Sequence, residues 1–545
     1  MVFVVAFGIV AIRAVWLQAV RASALGKLAA TQHHETVTIP AGRGTIFDRL
    51  GVQLAIGEEA TTVYADPRLV KNPQLVASAA AHAFGLNANV LYPQLRDKKR
   101  SFVYLARKAD PAQAAAFMKR KLAGVGSYPE ERRTYPQKSV AAQVLGYAGV
   151  DNNGLSGLEV GLDRKLAGRP GTETVVKDPL GRPIDVISST PERQGRDVYL
   201  TLDHTIQAQA ESVLRATVAH WHARSATAIV LDPSNGAIVA MANVPSYDAN
   251  RFPDVRRSFE RNRAVTDAYE PGSTFKLVTV AGAISEGLVT ARTPFRVPYS
   301  ISVADRVISD AERHATETLT VAQILSHSSN VGAVMLAEML GRDRLASWID
   351  RFGFGRPTGI DYPGESPGIV LPPDKWSGST IGNVPIGQGI AVTPIQMATA
   401  YGAIANGGMS VQPHLVDHFA GGGYPKLKRR RIVAPAIAAQ LMAMLKNVVA
   451  EGTGTLAAVP GYVVAGKTGT AAKPDPQGGY STSRYVASFV GIVPASAPKL
   501  VILVAVDEPK GAIFGGVVAA PAFREIARFD LQYLEVPPDD IASLH

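Results

Sequence analysis

Three short segments, far apart in the chain, restrict most strongly how it can fold. They read Ser273-Thr274-Phe275-Lys276, Ser328-Ser329-Asn330 and Lys467-Thr468-Gly469-Thr470. Each alone is a weak signal, because such short patterns recur by chance. Together, and in this order, they contain the nucleophile, the bases and the hydrogen-bond donors of one acyl-transfer site. A fold that brings the three segments together must return the chain to the first segment twice.

The first segment places a nucleophile and a base close together. A turn, Tyr269-Glu270-Pro271-Gly272, precedes Ser273, and the apolar run Leu277 to Ile284 follows it. This pattern predicts a turn that opens into a buried helix at the serine. Residues three apart on a helix share a face, so we expect the Lys276 amine to reach the Ser273 hydroxyl. Burial and a neighbouring cation, Lys467, would lower the pKa of Lys276 and make it a usable base.

A second match to the Ser-x-x-Lys pattern, Ser496-Ala497-Pro498-Lys499, shows that context must decide. About one or two such matches are expected by chance in a chain of this length, against about 0.1 for Lys-Thr-Gly. Pro494 and Pro498 place the second match in a loop before the strand-like run Leu500 to Val506. We therefore interpret it as a loop.

The third segment ends a run with strand character. Gly461 to Gly466 carries β-branched and aromatic residues, which predicts a strand that leads into Lys467. An edge strand can bind an extended peptide by adding it to the sheet, and Gly469 would let a substrate backbone approach closely. Lys467, Thr468 and Thr470 would then face a substrate carboxylate.

The middle segment lies in a turn between two helix-like stretches, Thr320 to Leu325 and Val331 to Leu340. Ser328 can relay a proton to a leaving amine, and Asn330 can bind a substrate amide. A simple helix cap is the alternative, since serine and asparagine are common caps. Beside the other two segments, we prefer the catalytic interpretation.

With these motifs in place, the sequence resembles the penicillin-binding proteins and their serine β-lactamase relatives. The resemblance covers nearly the whole chain, and other segments are similar to those of the class B type. One departure is Leu50, where a polar turn residue is expected before Gly51. The other matching segments include Arg43-Gly44-Thr45-Ile46-Phe47-Asp48-Arg49, Arg133-Thr134-Tyr135-Pro136, Gly154-Leu155-Ser156-Gly157-Leu158-Glu159, Leu200-Thr201-Leu202-Asp203 and Ile386-Gly387-Gln388-Gly389.

The resemblance implies an α/β multidomain chain with a penicillin-binding-protein transpeptidase fold: a five-stranded antiparallel sheet, helices on both faces and a helical subdomain. The residues agree with it. A hairpin is predicted over 226–231 and 237–242, and a three-stranded meander over 463–470, 485–493 and 500–507. Helical segments are predicted over about 272–350 and 393–405, with a last helix over 519–533.

Four ranges follow from these assignments. We expect a partial transmembrane anchor over 1–24, an α+β pedestal of the dimerisation type over 31–195, the transpeptidase domain over 196–535 and a tail over 536–545. The apolar run Val2 to Ile12 is too short alone for a span of about 20 residues. Ala22-Ser23-Ala24 resembles a signal cleavage site, but the resemblance favours a single retained anchor in the cytoplasmic membrane, with the catalytic domain outside the cytoplasm.

The resemblance also implies a mechanism of two acyl transfers. Ser273 would attack the bond between two terminal D-alanines of a peptidoglycan stem peptide, Lys276 would take its proton and Ser328 would pass one to the leaving D-alanine. The backbone amides of Ser273 and Thr470 would form the oxyanion hole. An amine of a neighbouring stem would then release the acyl-enzyme as a cross-link, while a β-lactam would remain attached. Expected partners are the lipid-linked precursor polymer, a membrane glycosyltransferase and other proteins of the division machinery.

Composition excludes several other classes. The 545 residues contain no cysteine, which removes disulfides, thiol catalysis and cysteine-ligated metals. We expect no metal and no organic cofactor. The net charge of +10 suits an anionic wall polymer or lipid headgroups, and no basic helix or nucleic-acid motif indicates binding to nucleic acid.

Three rivals remain at this point. A β-lactamase or D,D-carboxypeptidase would use the same serine but release the acyl group to water. A β-lactam sensor or scaffold would not turn over. Among transpeptidases, septal division is preferred to elongation or spore synthesis, because of the length of the chain and its compact pedestal.

Overall fold

A computed structural model describes residues 1–21, 34–177, 183–540 and 542. The chain divides into two compact units that interleave along the sequence. The first unit comprises Met1–Thr45, Gly57–Arg133 and Arg164–Arg196, and the second comprises Ile46–Ile56, Thr134–Asp163 and Asp197–His545. Residues 22–24 of the predicted anchor, residues 31–33 of the predicted pedestal and most of 541–545 in the predicted tail lie outside the described residues.

The first unit combines helices with strands, in agreement with the predicted α+β pedestal. Its core is formed by apolar side chains that include Val63, Leu95, Leu105 and Phe117. Its helices are Val2–Val15, which a π-helical turn Trp16–Val20 follows, Pro73–Phe84, Ala88–Arg96 and Pro111–Met118. The strands that lie wholly or mainly in it are His34–Ile39, Gln53–Ala65, Val103–Ala109, Val125–Thr134, Gly171–Lys177 and Pro183–Thr190.

The helix Val2–Val15 exposes apolar side chains, including Phe3 and Phe7. Within the described ranges, no helix combines the length and the apolar character needed to cross a membrane.

The second unit is built on a five-stranded antiparallel sheet. Its strands are β1 (Ser225–Leu231), β2 (Ile238–Val244), β3 (Ala465–Pro474), β4 (Tyr480–Val493) and β5 (Leu500–Asp507). They lie in the order β2-β1-β5-β4-β3, and every neighbouring pair is antiparallel. The predicted hairpin and meander are therefore confirmed, and β3 lies at one edge. It begins at Ala465 and not near Gly461, because Tyr462 donates its backbone N–H back to the Val459 carbonyl in a turn.

Helices cover both faces of this sheet, as predicted. Ile206 and Phe523 pack with Val230 on one face. Gly402 lies against Leu231, whose side chain points to the opposite face because neighbouring residues in a strand alternate. The main helices of the unit are α1 (His204–His220), α2 (Lys276–Ser285), α3 (Val321–Ser326), α4 (Asn330–Leu340), α5 (Arg342–Phe352), α6 (Pro394–Ala405), α7 (Pro435–Ala450) and α8 (Ala520–Tyr533).

The predicted helical segment over 272–350 contains two small antiparallel strand pairs that sequence reasoning missed, and the second of them is a hairpin. Pro294–Val297 pairs with Glu317–Thr320, and Ser300–Val303 pairs with Arg306–Ser309. Apolar and polar residues alternate in Ser300–Val303, with Val303 buried, which is the two-residue period of a strand. These strands are only four residues long, so the alternation is a weak signal.

Asp530, on α8, is expected to destabilise the folded protein at neutral pH. Its side chain is fully buried, and neither carboxylate oxygen has a hydrogen-bond partner among the described residues. Burial, followed by the charge of Asp203, raises the pKa of Asp530 well above its usual value. The charged form of this carboxylate is therefore disfavoured in the folded protein, which at neutral pH costs about 1.4 kcal/mol of stability per unit of pKa shift.

We expect Asp530→Asn to raise the free energy of unfolding at pH 7 by about 1–3 kcal/mol, since an uncharged amide removes this cost but brings unpaired polar atoms of its own. Urea titrations at pH 7 and pH 4 provide the measurement. The gain should shrink towards pH 4, where the unfolded aspartate also binds a proton. Asp305→Asn, at an exposed position, is the matched control and should change stability by less than about 0.5 kcal/mol. Equal gains at both pH values would contradict the prediction.

Candidate active site

Ser273 lies in a short 3-10 turn, Gly272–Phe275, which leads directly into α2. Gly272 has a positive φ of 55°, and a Cβ atom on it would lie 2.7 Å from the Thr470 carbonyl oxygen. Glycine is therefore required for the turn to approach β3 this closely. The predicted turn that opens into a buried helix is present, with the α-helix beginning at Lys276 instead of Ser273. Ser273 itself is half-buried.

Lys276 is fully buried and reaches the middle segment. Its Nζ donates to Asn330 Oδ1 at 2.8 Å, to Ser328 Oγ at 3.3 Å and to the Ser328 carbonyl. Among the hydrogen bonds of the described residues, none joins Lys276 to the Ser273 hydroxyl. Burial lowers the pKa of Lys276 to about 7, against the opposing effect of Asp310. Near neutral pH, a large share of this lysine is thus uncharged and able to accept a proton.

Lys467, on β3, contacts Ser328 as well. Its Nζ donates to Ser328 Oγ at 2.9 Å, and the side chain is fully buried. Burial, and then the charge of Lys276, lowers the pKa of Lys467 well below its usual value. The predicted influence of one lysine on the other is found on Lys467, whereas burial is the main influence on Lys276. The Ser328 hydroxyl therefore lies between two buried amines.

In the turn of the middle segment, the two adjacent serines have different roles. Ser328 has a left-handed backbone with φ of 61° and contacts both lysines. Ser329 is the N-cap of α4, and its Oγ accepts from the Gly332 N–H at 2.9 Å. The helix-cap alternative is thus correct for Ser329, while the neighbouring hydroxyl remains available for proton transfer.

Both polar atoms of the Asn330 side-chain amide form hydrogen bonds within the protein. Its Oδ1 accepts from Lys276, and its Nδ2 donates to the Ser309 carbonyl at 2.9 Å. The observed role of Asn330 is to hold the Lys276 amine in place. Binding of a substrate amide by Asn330 stays a prediction.

Asp310 organises this turn and was not found from the sequence. Its Oδ2 accepts from the Ser329 hydroxyl at 2.8 Å and lies 3.1 Å from His314 Nε2. Its Oδ1 accepts from the backbone N–H of Val331 at 3.0 Å and from that of Asn330. Asp310 directly follows the small hairpin that the sequence reading missed, and no motif marks it.

The third segment lies on β3, paired with β4, so that Gly469 is opposite Ser488. A Cβ atom on Gly469 would lie 2.3 Å from Ser488 Oγ and 2.8 Å from the Pro271 carbonyl oxygen. The close approach that this glycine permits is therefore to the protein's own turn around Ser273. Thr470 Oγ1 accepts from the Gly515 N–H at 3.1 Å.

Thr468 has its hydroxyl 2.8 Å from the Thr453 hydroxyl and 3.2 Å from Lys467 Nζ. It is thus joined to the buried lysine pair. The structure brings all three sequence segments to one place, with Ser328 at the centre.

Among the residues that the structure describes, one group of side chains has the spacing of a metal site. One ligand atom each from Asp48, Asp203 and His204 lies within 4.8 Å of the others. However, Asp203 Oδ1 accepts from two backbone N–H groups at the start of α1, and Asp48 Oδ2 lies 2.6 Å from His204 Nδ1. These oxygens serve as a helix cap and in a carboxylate–histidine pair, so we assign no metal centre here.

Comparison with known proteins identifies both parts of the chain. The penicillin-binding protein transpeptidase domain matches residues 226–528, and the penicillin-binding protein dimerisation domain matches residues 38–200. The chain is 35% identical to stage V sporulation protein D of Bacillus subtilis, over 99% of this chain and 86% of that protein. It is 33% identical to the peptidoglycan D,D-transpeptidase FtsI of Escherichia coli K12, over 97% of this chain and 90% of that protein.

A solved structure agrees. Penicillin-binding protein 3 of Mycobacterium tuberculosis, complexed with aztreonam, superimposes with a TM-score of 0.73 at 31% sequence identity, over 92% of this chain and 98% of that one. The matched transpeptidase range, residues 226–528, includes the turn of Ser273, the start of α2 with Lys276, the turn of Ser328 before α4, and β3 with Lys467. The chain therefore belongs to the class B penicillin-binding proteins, which are serine-type peptidoglycan D,D-transpeptidases.

Proposed function

We propose that Ser273 is the nucleophile of this transpeptidase and Lys276 its general base. The observation that carries the assignment is the Ser328 hydroxyl, held 2.9 Å from Lys467 Nζ and 3.3 Å from Lys276 Nζ, the lysine three residues after Ser273. Lys276 takes the proton of Ser273, and Ser328 passes a proton to the departing D-alanine.

The remaining residues of the three segments stabilise charge. The backbone N–H groups of Ser273 and Thr470 form the oxyanion hole, where donors aimed at the developing negative charge lower the barrier. Lys467, Thr468 and Thr470 receive the carboxylate of the terminal D-alanine. Gly469 keeps β3 against the turn, and Asn330 holds Lys276.

Intact-mass spectrometry of the protein with a penicillin tests the assignment. We expect an adduct of one penicillin mass, on the peptide that contains Ser273, and its survival through hours of washout. An adduct lost within seconds would identify a hydrolase, and a protein that forms none would support the scaffold alternative.

The rate of this acylation should depend on pH through Lys276. A base works only when it is unprotonated, and the pKa of Lys276 is about 7. We therefore expect the second-order rate constant to rise about tenfold per pH unit below 7 and to level off above it. Stopped-flow acylation with a chromogenic cephalosporin from pH 5.5 to 9 measures this profile. A rate that falls across that range would contradict Lys276 as the base.

We further propose that the enzyme acts in septal wall synthesis during cell division. The E. coli relative named FtsI matches over 97% of this chain, and the length and pedestal suit that type. The sporulation-type relative at 35% identity supports the competing spore-specific role. The proposed partners are a membrane glycosyltransferase and other division proteins, and the substrate places the catalytic domain outside the cytoplasmic membrane, held there by a single-pass anchor.

Depletion of the protein from its host separates these roles by cell shape. Filaments are expected for division, spheres indicate elongation, and a defect confined to spores indicates sporulation. The host cell should carry a catalytically dead copy as a control, so that loss of activity is distinguished from loss of a scaffold.

A further inference from the structure

The carboxylate of Asp310 stabilises the turn in which Ser328 lies. Its Oδ2 accepts from the Ser329 hydroxyl at 2.8 Å. Its Oδ1 accepts from the backbone N–H of Val331 at 3.0 Å and from that of Asn330. These three residues directly follow Ser328, whose φ of 61° is left-handed and costs free energy for a residue with a side chain. The hydrogen bonds to Asp310 therefore offset the cost of this backbone conformation.

His314 is hydrogen-bonded to the same carboxylate. Its Nε2 lies 3.1 Å from Asp310 Oδ2, and its Nδ1 lies 2.7 Å from the Ala315 carbonyl oxygen. A carbonyl oxygen and an ionised carboxylate only accept hydrogen bonds, so both contacts are satisfied at once only when both ring nitrogens carry a proton. The two hydrogen bonds thus favour the charged form of His314. They raise the pKa of the ring above its usual value, the one to Ala315 more strongly.

Further charged groups lie near His314. Glu317 Oε1 is 3.5 Å from its Nδ1. The ring of Tyr299 meets the histidine ring edge-on at 6.1 Å, and the Arg313 guanidinium lies over that tyrosine ring at 5.8 Å. The side chain of His314 is 22% exposed, whereas that of Asp310 is 9% exposed. The histidine therefore exchanges protons with solvent, while the carboxylate that it contacts is nearly buried.

We propose that Asp310 and His314 are positioning residues for the acyl transfer. Asp310 holds the turn that places the Ser328 hydroxyl between the two buried amines, and His314 holds Asp310 in its place. Misplacement of a reacting group by about 1 Å can cost about 10²-fold in rate, so residues that position such a group influence the rate strongly. The proposal rests on the assignment of Lys276 as the general base, because the charges of the pair also act on that amine.

The two residues have opposite electrostatic effects on the base. The charge of Asp310 raises the pKa of Lys276, against the larger lowering effect of burial. A protonated His314 beside Asp310 cancels part of that negative charge. Loss of the Asp310 charge should therefore lower the pKa of Lys276, and loss of the His314 charge should raise it. Lys467, the other buried amine at Ser328, is unchanged in both cases. Residues with a merely structural role would not produce opposite shifts.

The pH profile of acylation tests the pair in the full-length protein. Stopped-flow acylation with a chromogenic cephalosporin gives the plateau rate constant at pH 9 and the ratio of the rate constant at pH 6 to that plateau. Asp310→Asn should lower the plateau about tenfold or more, because the turn is held less firmly. It should also raise the ratio about threefold, because the pKa of Lys276 falls. His314→Gln should lower the ratio about twofold, because that pKa rises.

Further variants separate position from charge. The amide of His314→Gln can still donate to Asp310, so the plateau should stay within about twofold, whereas His314→Ala should lower it about fivefold. Asp310→Glu keeps the charge but moves it, so the plateau should fall and the ratio should not change. The controls are Asp305→Asn, in the exposed turn of the same hairpin, and His418→Gln, whose ring lies 2.7 Å from Asp417 in a second aspartate–histidine pair. Neither control should alter the plateau or the ratio.

Each outcome decides one assignment. An unchanged plateau in Asp310→Asn, or ratios that move in the same direction in Asp310→Asn and His314→Gln, overturns the positioning pair. Circular dichroism shows whether each variant is folded. If Asp310→Asn does not fold, His314→Gln decides alone, and an unchanged or higher ratio overturns the pair. A wild-type profile that does not rise towards pH 7 overturns Lys276 as the base instead, so failure of the two assignments can be distinguished.

Discussion

Replacement of Ser273 by alanine is expected to abolish covalent labelling by penicillin and to lower transpeptidation by about 10⁴-fold or more. Removal of a serine nucleophile costs this much in other acyl-transfer enzymes, because the oxyanion hole and substrate binding alone retain only a small part of the rate. The fold should be unaffected, since Ser273 is only half-buried and makes no side-chain hydrogen bond among the described residues. Gel fluorescence with a labelled penicillin and steady-state kinetics measure both effects.

The chain supplies its own matched control. Ser496 begins the second Ser-x-x-Lys match, and its hydroxyl donates to Asp539 in a loop. Ser496→Ala should retain full labelling. Retention of labelling in Ser273→Ala and its loss in Ser496→Ala would reverse the assignment.

Lys276→Met is expected to lower the acylation rate by about 10²–10⁴-fold, the usual contribution of a general base, and at the same time to stabilise the fold. Because the pKa of Lys276 is lowered from 10.5 to about 7, its burial costs about 4 kcal/mol at pH 7. Methionine removes this cost but leaves Asn330 Oδ1 and the Ser328 carbonyl without their donor, at about 1 kcal/mol each. The net gain in unfolding free energy is about 1–3 kcal/mol.

Unfolding measurements at different pH values test whether this gain in stability comes from removal of a buried charge. Between pH 7 and pH 10.5 the unfolded lysine holds more protons than the folded one, so the stability of the wild type rises with pH. The advantage of Lys276→Met in urea titrations should therefore disappear by about pH 10.5. An advantage that is independent of pH would indicate better packing instead of removal of a buried charge.

The sheet could be predicted because its strands are long, apolar and bounded by turn residues. Each predicted strand lies within a few residues of the observed one, and the largest differences are that β3 extends to Pro474 and that β4 begins at Tyr480. The departure at Leu50 has no visible cost, because the Asp48 carboxylate accepts from the N–H groups of Leu50 and Val52, both at 2.8 Å, and holds the turn by itself.

Contacts between distant segments could not be predicted in the same way. The sequence indicates that Ser273 and Lys276 share a face, but the nearest partners of the lysine, Ser328 and Asn330, depend on tertiary packing. Asp310 is a further example, since its four hydrogen-bond partners come together only when the small hairpin is folded against α4. Short spacings report local geometry, whereas buried charge networks are fixed by the whole fold.

The contact of the catalytic turn with β3 also limits how cells could escape a β-lactam. At Gly272 and Gly469, any side chain would meet backbone oxygen atoms at 2.7 and 2.8 Å, closer than Cβ atoms are found in proteins. Selection for drug resistance therefore has no tolerated substitution at these two positions that spares wall synthesis. Such substitutions are therefore expected at other positions, where a new side chain leaves the contact between the turn and β3 intact.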